Sequence, residues 1–341
     1  MIVYATRRLL VMIPLLLGAS LLVFVIVDTT SDPVAEQVAV LQMASSDPVP
    51  AETIAGLEKK WYQDRSMPER YWLWLTGVGG RGDVGILQGE WGPSTRANYD
   101  IGGEIASGFA VTLRLVLVAT LMAIGLAIFT GVVSAVRQYS RLDYTLTFVG
   151  FLALAMPTFW LAQLLQQGGI AVNGFFGDNP IQTRRDSSID AENLAFFPWL
   201  GDVAGHLILP TLALMLTGYA ATSRYQRSAM LEVLGSDYIR LARAKGVRNR
   251  TVMRRHALRT ALIPVATFAP LGAAFALSGS IVVEQVFDWE GLGMFLLEAL
   301  QRPVDPYAVM GYLLITGVIV LIAVLISDLL YGVLDPRIRY E

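Results

Sequence analysis

Apolar runs long enough to cross a bilayer recur along the chain, at residues 9–27, 110–136, 146–165, 207–221, 262–286 and 309–331. A helix needs about 18 or more predominantly apolar residues to span hydrocarbon with every backbone group bonded within itself. The fourth run is the weakest, with Pro210 near its start and Thr217, Thr222 and Ser223 at its far end. Even so, the chain must recross there before the basic segment that follows. Only 16% of residues are charged, against about 25% in soluble domains, and mean hydropathy is +0.53. The expectation is an all-α membrane protein of six spans, and no fixed-period repeat or low-complexity tract complicates it.

Charge is unevenly placed. Ten of the 26 Lys and Arg residues lie in 224–264, opposed only by Glu232 and Asp237. With six spans and both ends on one side, sixteen basic residues fall with this segment and nine opposite, Arg114 sitting inside the second span. An excess of Lys and Arg marks the cytoplasmic side, so both termini are expected there. Arg7-Arg8 before an apolar run also fits a secretory signal. The length of the run and the want of a small-x-small cleavage site favour an uncleaved first span.

The basic segment reads as two short helices about a glycine. Ser236 is a fitting N-cap, and Asp237 places negative charge at the positive end of the helix dipole. Tyr238, Leu241 and Ala242 share one face at i, i+3, i+4 spacing. Gly246 fits the left-handed position after a helix end. Asn249 can cap a second helix, with Val252, Met253 and Ala257 on one side. Such an elbow has the form of a docking part.

The run Asp237-Tyr238-Ile239-Arg240-Leu241-Ala242-Arg243-Ala244-Lys245-Gly246, followed by His256-Ala257-Leu258-Arg259, resembles the cytoplasmic coupling loop of ABC importer permeases. Arg240 stands where the general pattern has Glu, and Leu258-Arg259 where it has Leu-Pro. The oligopeptide and dipeptide branch shows the same departures. Arg7-Arg8-Leu9-Leu10 with Ile13-Pro14, His206 through Pro210, the stretch Gly279 to Phe287 and the ending Asp328-x-x-Tyr331…Asp335-Pro336-Arg337 are similar to that branch too. Thr30-Ser31-Asp32-Pro33 and Trp289-Glu290 depart from it. The resemblance implies a type I importer fold in which residues 1–27 form a first span, 28–107 an external region, 108–335 the transmembrane domain and 336–341 a cytoplasmic tail. It further implies a second, homologous permease subunit, two ATP-binding domains carrying ATP and Mg on partner chains, and an external substrate-binding protein. Asp237, Tyr238, Arg240, Leu241, Ala242, Arg243, Ala244, Lys245 and Gly246 would form the ATPase-coupling loop.

Other residues invite weaker readings. Pro157, in Met156-Pro157-Thr158-Phe159, removes a backbone hydrogen bond and should bend the third span, as a gate or as packing. Glu284, near the outer boundary, either faces the translocation path or holds neighbouring helices. Small residues such as Gly272, Ala276 and Ser280 let helix backbones approach closely in a pore-lining span or at a partner subunit. Arg114 is expected to snorkel from the outer end of its span. Trp61, Tyr62, Tyr71, Trp72 and Trp74 anchor the external region, as part of a docking surface or as an interfacial belt. Residues 168–205 suggest a short interfacial helix or hairpin.

Several chemistries are excluded. There are no cysteines, and His206 and His256 lack the pattern of a metal site. Lys59, Lys60 and Lys245 are the only lysines, none in a Gly-Lys-Ser/Thr sequence, so no phosphate-cradling loop is present. No catalytic constellation is visible. The basic elbow needs no nucleic acid to explain it, since topology and the lipid bilayer account for its charge. The reading is a non-catalytic permease subunit of a peptide importer. Nickel chelates, glutathione or oligosaccharides are alternative cargoes, and a stand-alone ion-coupled transporter or channel is the alternative of another class.

Overall fold

The computed structural model describes residues 2–44, 47–177 and 180–334. The Asp335-Pro336-Arg337 ending, Arg339 and the expected tail lie outside the described residues. The elements run α1 (Ile2–Thr30), α2 (Pro33–Ala44), α3 (Ala51–Lys60), α4 (Met67–Thr76), β1 (Val84–Gly85), β2 (Glu90–Trp91), α5 (Ile101–Val136), α6 (Arg141–Ala155), α7 (Thr158–Phe176) and α8 (Phe196–Leu234). They continue with α9 (Asp237–Ala244), α10 (Asn249–Thr251), a π-helical turn (Val252–Ala257), α11 (Leu258–Ala261), α12 (Ile263–Phe287), α13 (Leu292–Ala299) and α14 (Pro306–Leu334). Four helices are long and apolar enough to cross a membrane, and six spans result if two bent pairs each count as one. All six apolar runs are accounted for in this way.

The bent pairs change two of the expected spans. The run at 146–165 is not one rod: α6 and α7 diverge by 104° at Met156-Pro157. Proline favours an extended conformation in the residue before it, and Met156 adopts it with ψ 124°. The other pair bends by 45° between Ala261 and Ile263. The fourth run, by contrast, is the middle of a 39-residue helix. The segment expected to open the elbow, from Arg224 to Leu234, is the end of α8. Phe196 onward is its beginning, in place of a separate hairpin.

The chain forms two compact units. One comprises Val111–Glu290 with the ends of the first and last helices, and in it α8 packs against α6, α7 and α12. Serine, glycine and alanine occupy the close approaches: a Cβ on Gly131 of α5 would sit 2.8 Å from the Gln226 side chain of α8.

The other unit comprises Arg8–Ala110 with Gly291–Ile319, so it divides the chain differently from boundaries at 27 and 107. Trp61, Tyr62 and Trp74 are its core, each 3% exposed or less. Only Trp72 stands well exposed, so these aromatics are neither a belt nor, for the most part, a docking surface. Trp61 stacks on Tyr307 at 5.8 Å. Asp305 precedes Pro306 at the start of α14 and accepts from the Ala308 N–H at 3.2 Å, capping that helix. It also accepts from the Ser94 hydroxyl and from the Thr95 N–H at 3.1 Å. Arg96 reaches Glu298 at 2.9 Å. At Gly92 the backbone has φ 113°, and a Cβ there would lie 2.3 Å from the Tyr307 ring.

Candidate functional site

The elbow is seated on the end of α8. Met230, Ile239, Val252, Ala257 and Ala261 are buried together with Ala135 of α5. Ile239 is therefore the residue by which α9 is held. Of the face expected to project, Tyr238 and Leu241 are 43% and 56% exposed. Ala242 instead packs against the buried cluster. Asp237, Arg240, Arg243, Ala244, Lys245 and Gly246 are exposed. Ser236 holds the N-cap position, but its hydroxyl donates back to the Val233 carbonyl at 2.6 Å. Arg248, not Asn249, holds the N-cap position of α10, a difference within the ordinary fraying of helix ends. Gly246 has φ 74°, with its N–H on the Arg243 carbonyl at 3.0 Å and open space where a Cβ would be. Only its conformation demands glycine.

The second half of the elbow departs from α-helical geometry. In a π turn residues five apart are stacked by i→i+5 bonds, so Val252 and Ala257 both reach the buried cluster. Arg254, Arg255 and His256, between them, are all exposed.

Beneath the elbow lies an ion pair that local sequence reading does not show. The Arg227 guanidinium meets Asp143 through Nε and Nη2 at 3.0 and 2.9 Å. Asp143 also accepts from the Ser134 hydroxyl and from the Tyr139 N–H at 2.9 Å. Buried at 2% exposure, it ties the start of α6 to α5 and α8. One signal was available: Asp143 is the only acidic residue between Glu104 and Asp178, and a lone acid beside a span calls for a partner.

Within the same unit, α5, α7, α8 and α12 enclose a cavity of about 270 Å³. Its walls carry small residues, among them Ala119, Gly218 and Gly272, the hydroxyls of Thr120, Thr158, Thr217 and Thr222, and the rings of Tyr225, Phe268 and Phe275. None of these described lining residues is charged. Pro157 is not on its wall, although its neighbour Thr158 is, with its hydroxyl 3.3 Å from that of Thr217. Glu284 is not on it either. Fully buried, Glu284 accepts from the Thr112 hydroxyl at 2.7 Å, a bond between α12 and α5. Arg114, expected to snorkel, pairs with Asp186 of the loop between α7 and α8 and lies 5.3 Å over the Trp289 ring. No group of metal-ligating residues is found among the described residues.

A multi-pass helical protein with this arrangement has the fold of an ABC importer permease. A subunit of the MetNI methionine ABC transporter, solved in inward-facing conformations, superposes with a TM-score of 0.53, covering 68% of this chain and 96% of that one at 15% identity. Residues 123–340 match the family described as binding-protein-dependent transport system inner membrane component. Over its full length the chain is 37% identical to all of the oligopeptide transport system permease protein AppB of Bacillus subtilis. It is 36% identical to OppB of Mycobacterium tuberculosis over 98% of both chains, and 34% identical to the dipeptide permease DppB of Escherichia coli K12 over all of both. The chain belongs to the binding-protein-dependent permease family, and the reading as a stand-alone ion-coupled transporter is set aside.

Proposed function

We propose that this chain is one of two homologous permease subunits of a peptide importer, with both termini cytoplasmic. Its elbow docks into the cleft of a separate ATPase that holds ATP and Mg, and an external binding protein delivers the peptide. Support for the cargo comes from the names of the relatives above, oligopeptide and dipeptide permeases. The uncharged cavity, of a size to hold part of a short peptide, is consistent with it.

The observation that carries the coupling role is the state of α9. Two large apolar side chains, Tyr238 and Leu241, stand exposed on an otherwise basic eight-residue helix whose opposite face is locked to α8 through Ile239. Exposed apolar side chains on a polar helix mark a partner surface. ATP-driven closure of the ATPases would draw the elbow with them, and the seating on α8 would carry that movement to the cavity wall. Arg240, Arg243 and Lys245 would face acidic or carbonyl groups of the cleft. Pro157, at the sharp break before Thr158, would act as the bend about which the cavity opens, and Glu284 would hold α12 to α5 during that movement.

Gly246→Val tests this reading. Forcing a β-branched residue into the left-handed region costs about 1–2 kcal/mol and re-aims α9. Uptake by the reconstituted importer should fall at least tenfold while ATP hydrolysis continues and membrane insertion is normal. Undiminished uptake would overturn the elbow assignment.

A further inference from the structure

The two halves of the elbow present different surfaces. On α9, basic residues alternate with the exposed Tyr238 and Leu241, as a protein cleft requires. From Arg248 to Arg259 there is no such anchor. Val252 and Ala257 are buried, Met253 packs against the same cluster, Leu258 is half-buried, and what remains outward is Arg248, Asn249, Arg250, Thr251, Arg254, Arg255, His256 and Arg259. No acidic residue occurs between Asp237 and Glu284 to neutralise them. Among the described residues no ion pair involves any of the five arginines. A surface of cations and small polar groups, with no exposed large apolar side chain, suits a diffuse anionic partner better than a shaped protein pocket.

Position narrows the partner further. The segment Asn249–Ala261 runs into the apolar α12 across the 45° bend. At the helical rise of 1.5 Å per residue, Arg259, Arg255 and Arg254 stand no more than about 5, 11 and 12 Å from Leu262, where the apolar run begins. The polar layer of a bilayer leaflet is about 5–8 Å deep, so Arg259 stands within it and Arg254 and Arg255 stand just beyond it, where their long side chains reach back to the headgroups. The π turn matters here, because it gathers Val252 and Ala257 inward together and leaves Arg254-Arg255-His256 as an unbroken outward stretch.

We infer that Arg254, Arg255 and Arg259 form a binding site for anionic phospholipid headgroups at the leaflet beside the elbow, distinct from the ATPase-facing α9. Juxtamembrane arginines are attracted to such leaflets with an energy equivalent to roughly fivefold per residue, so the three together give a marked local enrichment that salt weakens.

The test uses the full chain with its co-purifying partners in nanodiscs of phosphatidylcholine containing phosphatidylglycerol. Spin-labelled phosphatidylglycerol should be enriched at the protein over spin-labelled phosphatidylcholine. The preference should fall severalfold in Arg254→Gln/Arg255→Gln/Arg259→Gln and persist in the triple Arg→Lys variant. It should survive Arg243→Gln/Lys245→Gln on α9, which keeps its outcome separate from that of the coupling assignment. Equal affinity for both lipids in the native protein would overturn the proposal. So would a triple Gln variant that keeps its lipid preference but sheds its ATPase, which would assign these arginines to the protein partner. Should the Gln variant fail to insert, lipid preference lost at high salt in the native protein supports the site, and preference indifferent to salt overturns it.

Discussion

In the unit of Arg8–Ala110 and Gly291–Ile319, Arg70 and Arg96 end on Asp28 and Glu298, Asp305 gathers three donors, and Trp61, Tyr62 and Trp74 are packed inside. In the elbow Arg243, Lys245, Arg248 and Arg250 end in solvent, as do Tyr238 and Leu241. Both contain short helices joined by glycine-bearing turns and rich in charge. What separates them is where the polar and apolar groups find their partners. A segment whose groups are paired within its own unit is complete when folded. One that keeps both charge and apolar area exposed, while anchored by Ile239, is built to be completed by something else.

Substitutions can break that contrast. The largest effect is expected at Gly92→Val, which combines φ 113° with collision against the Tyr307 ring. A loss of about 4 kcal/mol or more is expected for such strain at a packed site, read as low yield of folded protein and proteolysis within that unit. A loss as small as that of a surface change would show that this unit repacks freely. Next, Tyr238→Ala with Leu241→Ala should leave thermal stability within about 0.5 kcal/mol, yet sharply reduce retention of the ATPase on purification. If this pair melts the protein instead, α9 is part of a core and the contrast is lost.

The smallest effect concerns pH in the same aromatic-cored unit. The hydroxyl and N–H of Ser66 at the start of α4 hold the Glu69 carboxyl below its usual value. A carboxylate with a depressed folded pKa contributes stability that is present above its unfolded pKa and is lost as pH falls through the folded one. Glu69→Gln should therefore lower the stability of this unit slightly at neutral pH, and the difference from the native chain should vanish in acid. A difference that persists at low pH would place the effect elsewhere.

Much of this was legible from residues alone. The apolar runs and their order are local properties, and so is the demand for glycine at 246. The unseen features depended on partners far away in the chain. Arg224 and Arg227 look like loop residues until Asp143, 84 positions before Arg227, is brought to the latter, and Arg224 is laid over Phe151 at 4.5 Å. Both then belong inside a helix. Glu284 is ambiguous until Thr112 meets it, 172 positions away. Trp61 and Trp74 resemble a belt in composition, because only Tyr307 of α14 stacking on Trp61 and Phe24 of α1 lying 5.7 Å from Trp74 show an interior. The i→i+5 turn left no mark in the periodicity.

The length of α8 has a mechanical consequence. From Thr217 on the cavity wall to Met230 beneath the elbow is one proline-free stretch of helix, about 20 Å at the usual rise. A rod of that length does not absorb a push delivered at one end, but swings. In the coupling proposed above, a shift of an ångström or two at Met230 would become a tilt of the threonine-lined wall, with no relay of side chains needed between them.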